Sequence, residues 1–73
     1  MMRIYDYSKL LGRMKERGFT QETFAKELGI SACSLNLSLN NKRDFRQKEM
    51  LRAIELLDIP SGSIEDYFFT SNL

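Results

Sequence analysis

The sequence predicts an all-α fold, a compact five-helix bundle, and three observations predict it. Apolar residues recur at helical spacing, and no alternating apolar–polar run is sustained. Breaks at Gly18, Gly29, Asn40-Asn41 and Pro60 leave only short connections between the helical stretches. The 73 residues make a single domain, 1–73. A chain of this size buries only about 60% of the surface its unfolded form exposes, so its stability margin is narrow.

The first predicted helix runs from about Asp6, a good N-cap residue, to Arg17. Tyr7, Leu10, Leu11 and Met14 form one apolar stripe along it. Lys15 and Arg17 suit its negative end, and Gly18 closes it. The second spans 21–28, capped by Thr20, with Glu22 in its first turn and Phe24, Ala25 and Leu28 facing inward. Gly29 ends it. The third follows Ser31 over 32–40 and points Leu35 and Leu39 inward. The fourth covers 47–57, where Phe45 is placed to reach Met50 as a hydrophobic staple. Met50, Ile54 and Leu57 make its core stripe, and Pro60 blocks continuation. A short fifth helix, 63–68, brings Ile64, Tyr67 and Phe68 onto the bundle, and the tail from Thr70 to Leu73 is expected to be loose.

Composition narrows the function. At 42% hydrophobic and 29% charged residues the chain is globular, not disordered. Cys33 has no partner in the chain, which excludes an internal disulfide and suits a reducing compartment. Histidine is absent and one cysteine cannot build a thiolate cage, so no metal or other cofactor is expected. No apolar targeting or membrane segment stands out, so the expected location is cytoplasmic, away from membranes. The carboxylates look like helix-surface and capping charges, so no enzyme is expected. The net charge of +1 says little, but its distribution is uneven. Residues 3–52 carry 11 basic and six acidic side chains, while the last 21 residues carry four acidic and no basic ones. Such asymmetry fits one surface turned toward a polyanion, and equally fits chance in a short chain.

The informative stretch is 20–43, TQETFAKELGISACSLNLSLNNKR, which reads as helix, tight turn, helix. Steeply crossed helices need a small residue where their backbones approach, and Ala25 supplies it. The turn needs a residue tolerating positive φ, and Gly29 supplies that. Ile30 plugs the turn, and Phe24, Leu28 and Leu35 anchor the two helices. This is the spacing of a helix-turn-helix.

These residues resemble the phage repressor and Cro-like (Xre-type) helix-turn-helix family. Gln21 opens the second helix, Phe24 and Ala25 follow, and Leu28-Gly29-Ile30-Ser31 makes the turn. Leu35 and the loop Asn40-Asn41-Lys42 complete the pattern. Phe45, the run from Ile54 to Ile59 and Tyr67 resemble the family's ending. The whole chain is similar to small single-domain phage proteins of Gram-positive bacteria. The pattern is broken at Ser38, where the family carries a large apolar residue, and Leu39 is expected to take over that packing with a slight rotation of the helix.

The resemblance implies a lambda-repressor-like domain and a sequence-specific DNA-binding transcriptional regulator, a phage Cro-like protein or repressor. Its recognition helix, 32–40, would lie in the major groove of double-stranded DNA. Ala32, Cys33, Asn36 and Leu37 would face bases, with Asn36 suited to adenine. Gln21, Ser31, Asn40, Lys42, Arg43 and Arg46 would meet phosphates. One such domain offers little area to DNA, which implies a homodimer, with Tyr67, Phe68 and Phe69 as its expected surface. The readout helix is poor in charge. That favours an alternative from another class: a protein-interaction module on the same fold, of antirepressor or antitoxin type.

Overall fold

The computed structural model describes residues 5–70. Five α-helices follow one another: α1 (Ser8–Glu16), α2 (Gln21–Leu28), α3 (Ala32–Leu39), α4 (Gln47–Leu57) and α5 (Ile64–Phe68), the last entered through a 3-10 turn at Ser61–Ser63. No β-sheet forms among the described residues.

The helix starts follow capping chemistry. Thr20 accepts the Thr23 N–H while Thr23 Oγ1 accepts the Thr20 N–H, which makes a reciprocal box at the head of α2. Ser31 accepts the Ser34 N–H at 3.0 Å at the head of α3. The ends of α1 to α4 share one backbone device. A residue in the left-handed region follows each helix, and the next N–H reaches back to a carbonyl five residues earlier. The left-handed residues are Gly18 (φ 81°), Gly29 (φ 78°), Asn41 (φ 61°) and Asp58 (φ 51°). The closing bonds are Phe19 to Met14, Ile30 to Ala25, Lys42 to Leu37 and Ile59 to Ile54, at 2.8–3.0 Å. Two of the four positions are not glycine, and each has a side-chain bond nearby. The Asn41 amide pairs with both the N–H and the carbonyl of Tyr5. Beside Asp58, Arg13 donates to the carbonyls of Leu57 and Asp58.

The core is a single cluster. Leu10 and Met14 from α1, Phe24 and Ala25 from α2, Leu35 from α3, Ala53 and Leu57 from α4, Ile59 and Phe68 are all buried. Burying side chains of this kind contributes about 1.5–3 kcal/mol each for the larger aliphatics and phenylalanines. Phe45 packs edge-on between Tyr7 and Phe68, at 5.3 and 5.7 Å. Five helices wrapped on one core give a radius of gyration of 11.4 Å, close to the roughly 11 Å of a compact chain this long.

Several expectations need correction. α1 begins at Ser8, not Asp6. Asp6 instead accepts both the N–H and the hydroxyl of Ser8, and those bonds hold its carboxyl below the usual range. α3 ends at Leu39, and α5 starts at Ile64, because the 3-10 turn occupies the preceding residues. Ser38, not Leu39, takes the inward position on α3: Ser38 is 0% exposed, and Leu39 is only half-buried. Leu35 and Ser38 lie three residues apart on one face, so α3 keeps its register without rotating. Thr70 is tied down, accepting the Asp6 N–H and donating to the Asp66 carbonyl. The rest of the expected loose tail, residues 71–73, lies outside the described residues. Phe68 is part of the core and cannot serve an outer surface. Tyr67 is half-buried beneath Lys9, which leaves Phe69 as the exposed member of that trio.

Candidate functional site

α2 and α3 form the most closely packed helix pair, with Phe24, Ala25 and Leu35 buried where they meet. This leaves the outer side of α3 open. Ala32, Cys33, Asn36, Leu37 and Asn40 are all exposed there, and Gln21 joins them from the head of α2. Asn36 donates to the Gln21 amide oxygen at 3.3 Å, and Asn40 donates to the Asn36 carbonyl at 2.8 Å. The structure thus brings the four expected base-facing residues onto one surface with Gln21 and Asn40. Ser31 sits at its edge, its hydroxyl already engaged with Ser34.

The chemistry of this face is weak in charge. Residues 28–41 contain no Asp, Glu, Lys or Arg. Leu37 stands 38% exposed at its centre line, next to Cys33 and Ala32 in a mixed apolar and amide surface.

The expected phosphate-contacting cations divide. Lys42 and Arg46 are exposed, with their side chains in none of the ion pairs among the described residues. Arg43 is committed elsewhere. Its guanidinium makes a two-pronged pair with Glu49, at 2.9 and 2.7 Å, and donates to the Ser38 hydroxyl at 2.8 Å. Glu49 is only 5% exposed and also accepts the Arg46 N–H at 3.0 Å, closing the head of α4. The Arg43 hydrogen bonds hold the Glu49 carboxyl below the usual carboxylate range, with the Arg46 N–H adding to the effect. Glu49 in turn raises the Arg43 guanidinium above its ordinary value.

Three residues of this region escaped sequence reading. Glu49 left one usable signal: it lies three residues after Arg46, the spacing of a capping carboxylate. Ser38 left only the break it makes in the apolar pattern, and Asn41 left no signal of its bonds, because the hydroxyl finds Arg43 and the amide finds Tyr5 only through tertiary folding.

A solved structure is similar to this chain: the solution structure of the modulator of repression (MOR) of the temperate bacteriophage TP901-1 from Lactococcus lactis. It is 40% identical, has a TM-score of 0.74, and is matched over 89% of this chain and 88% of that one. No curated protein sequence gives a significant match. The family profile that matches is DUF739, described as "Protein of unknown function (DUF739)", and it spans residues 2–71. This overturns membership of the repressor and Cro-like family expected from 20–43. The residues behind that expectation serve two crossed helices and a left-handed turn. Gly29 and Ala25 meet geometric needs that are independent of what the outer face binds. By the match to residues 2–71, this chain belongs to the DUF739 family.

Proposed function

We propose that this chain is a phage regulatory protein that modulates repression by binding another regulatory protein through the outer face of α3, without reading DNA sequence. The observation that carries this reading is the uncharged, half-apolar surface around Leu37, flanked by an arginine already paired with Glu49. DNA affinity rests chiefly on lysine and arginine meeting phosphates. A protein interface instead gains from a desolvated apolar centre with hydrogen-bonding amides at its rim. Leu37 supplies the centre, and Asn36, Asn40 and Gln21 supply the rim. The similarity to a phage modulator of repression supports a role exerted on a repressor.

Two measurements on the full chain test this. The first is co-purification with the repressor encoded by the same phage, for wild type and Leu37→Glu. Wild type should pair with the repressor at high salt, and Leu37→Glu should lose pairing while melting at the same temperature. The second is selection of bound duplexes from random oligonucleotides. A consensus enriched by wild type and relaxed by Asn36→Ala would replace this reading with direct DNA recognition.

A further inference from the structure

A second feature of the surface lies where the N-terminal segment, the loop before α4 and the end of α5 converge. There an open cleft of about 350 Å³ is bounded by Tyr7, Phe45, Met50 and Phe69, with Asp44 at its rim. The rings stand edge to face, Tyr7 against Phe45 at 82° and Tyr5 against Phe69 at 81°, so their π-surfaces differ in direction around the opening. Phe69 is 47% exposed at the mouth of this cleft, so its ring is open to a ligand. Asp44 is exposed, and its carboxylate enters none of the hydrogen bonds or ion pairs among the described residues. Burial, followed by the nearby Tyr5 and the Asp44 charge, raises the Tyr7 phenol above its ordinary value, so the field of that carboxylate reaches into the cleft.

Aromatic faces present a negative electrostatic potential, and a carboxylate at the rim adds to it. Such a site is poor for an anion and fits a cation that can shed water. Of the two common basic side chains, the guanidinium is flat, weakly hydrated and able to stack on a ring while pairing with a carboxylate. We propose that this cleft is a receptor for an arginine side chain of a protein partner, stacked on the rings of Phe45 and Phe69 and paired with Asp44. Charge complementarity selects this occupant over an apolar one, since an apolar plug would leave Asp44 beside it without a counter-ion. The proposal stands independently of the role given to α3.

The test is an NMR titration of the full chain with Nα-acetyl-arginine methylamide, run beside its uncharged citrulline counterpart. Saturable shifts in the millimolar range are expected at Tyr7, Asp44, Phe45 and Phe69 with the arginine probe alone. Asp44→Asn and Phe69→Ala should each weaken binding about fivefold. Both positions are exposed, so both variants keep the fold. Equal binding of citrulline, or no saturable shift, would overturn the proposal. Concentration-dependent shifts at the same residues without probe would assign the cleft to a second copy of the chain. The same titration on Arg3→Ala guards against an internal occupant, because Arg3 is two residues from Tyr5 in sequence. Binding to that variant alone would assign the cleft to the chain itself.

Discussion

The end of α3 differs from the ends of α1, α2 and α4, although all four use the same backbone closure. After α1, α2 and α4 the residue that closes the bond is apolar, and it turns inward: Phe19, Ile30 and Ile59 all pack on the core. Their partners Met14, Ala25 and Ile54 face the core too. After α3 the closing residue is Lys42, which is exposed, and its partner Leu37 is exposed as well. A hydrophobic contact normally accompanies this motif and helps to set the helix end. At α3 that contact is missing, and the loop is held instead by polar bonds, with Arg43 on Glu49 and Asn41 on Tyr5. Three helix ends are spent on stability. The fourth leaves its apolar side chain, Leu37, on the surface.

Substitutions can break or sharpen this contrast. The largest effect is expected at a buried closure. Ile59→Ala should cost about 3 kcal/mol by urea denaturation, through lost burial and the cavity left behind, whereas Lys42→Ala at the equivalent place after α3 should stay within about 0.5 kcal/mol. Equal losses at the two sites would erase the distinction. Next comes the polar substitute for the missing contact. Glu49→Ala strands the Arg43 guanidinium and the Arg46 N–H, and should cost about 2 kcal/mol.

The same pair predicts acid sensitivity, with a definite sign. The folded-state carboxyl of Glu49 titrates below its unfolded value. Its contribution is therefore fully present above the unfolded value of about 4.3, and is lost as pH falls from there through the folded value. Wild type should lose stability faster than Glu49→Gln across that window. Parallel pH profiles would show that the pair contributes nothing. The smallest effect belongs to the exposed face: Leu37→Ser should change stability by less than about 0.5 kcal/mol, and a larger loss would mean that Leu37 is a packing residue.

Much of the fold was legible because helices obey local rules. The five helical stretches, the caps at Thr20 and Ser31, and the turn at Gly29 follow from residues a few positions apart. The candidate face was legible as well, since helical periodicity places Ala32, Cys33, Asn36 and Leu37 opposite the buried Leu35. The family was misjudged, because the helix-turn-helix pattern reports a way of crossing two helices and says nothing about the surface turned outward.

By itself, the sequence determined the number and order of the helices, their ends to within about two residues, and that α3 would carry no charge. Those outcomes depend on side-chain spacing and on backbone conformations that each residue tolerates locally. Only the tertiary structure decided that Arg43 serves Glu49 and Ser38, that Ser38 can lie fully buried, that Phe68 belongs to the core while Phe69 does not, and that an aromatic cleft opens beside Asp44. The physical reason is that a charged or hydroxyl group has many possible partners along a chain. Its choice is made by whichever desolvated neighbour the packed helices bring within reach.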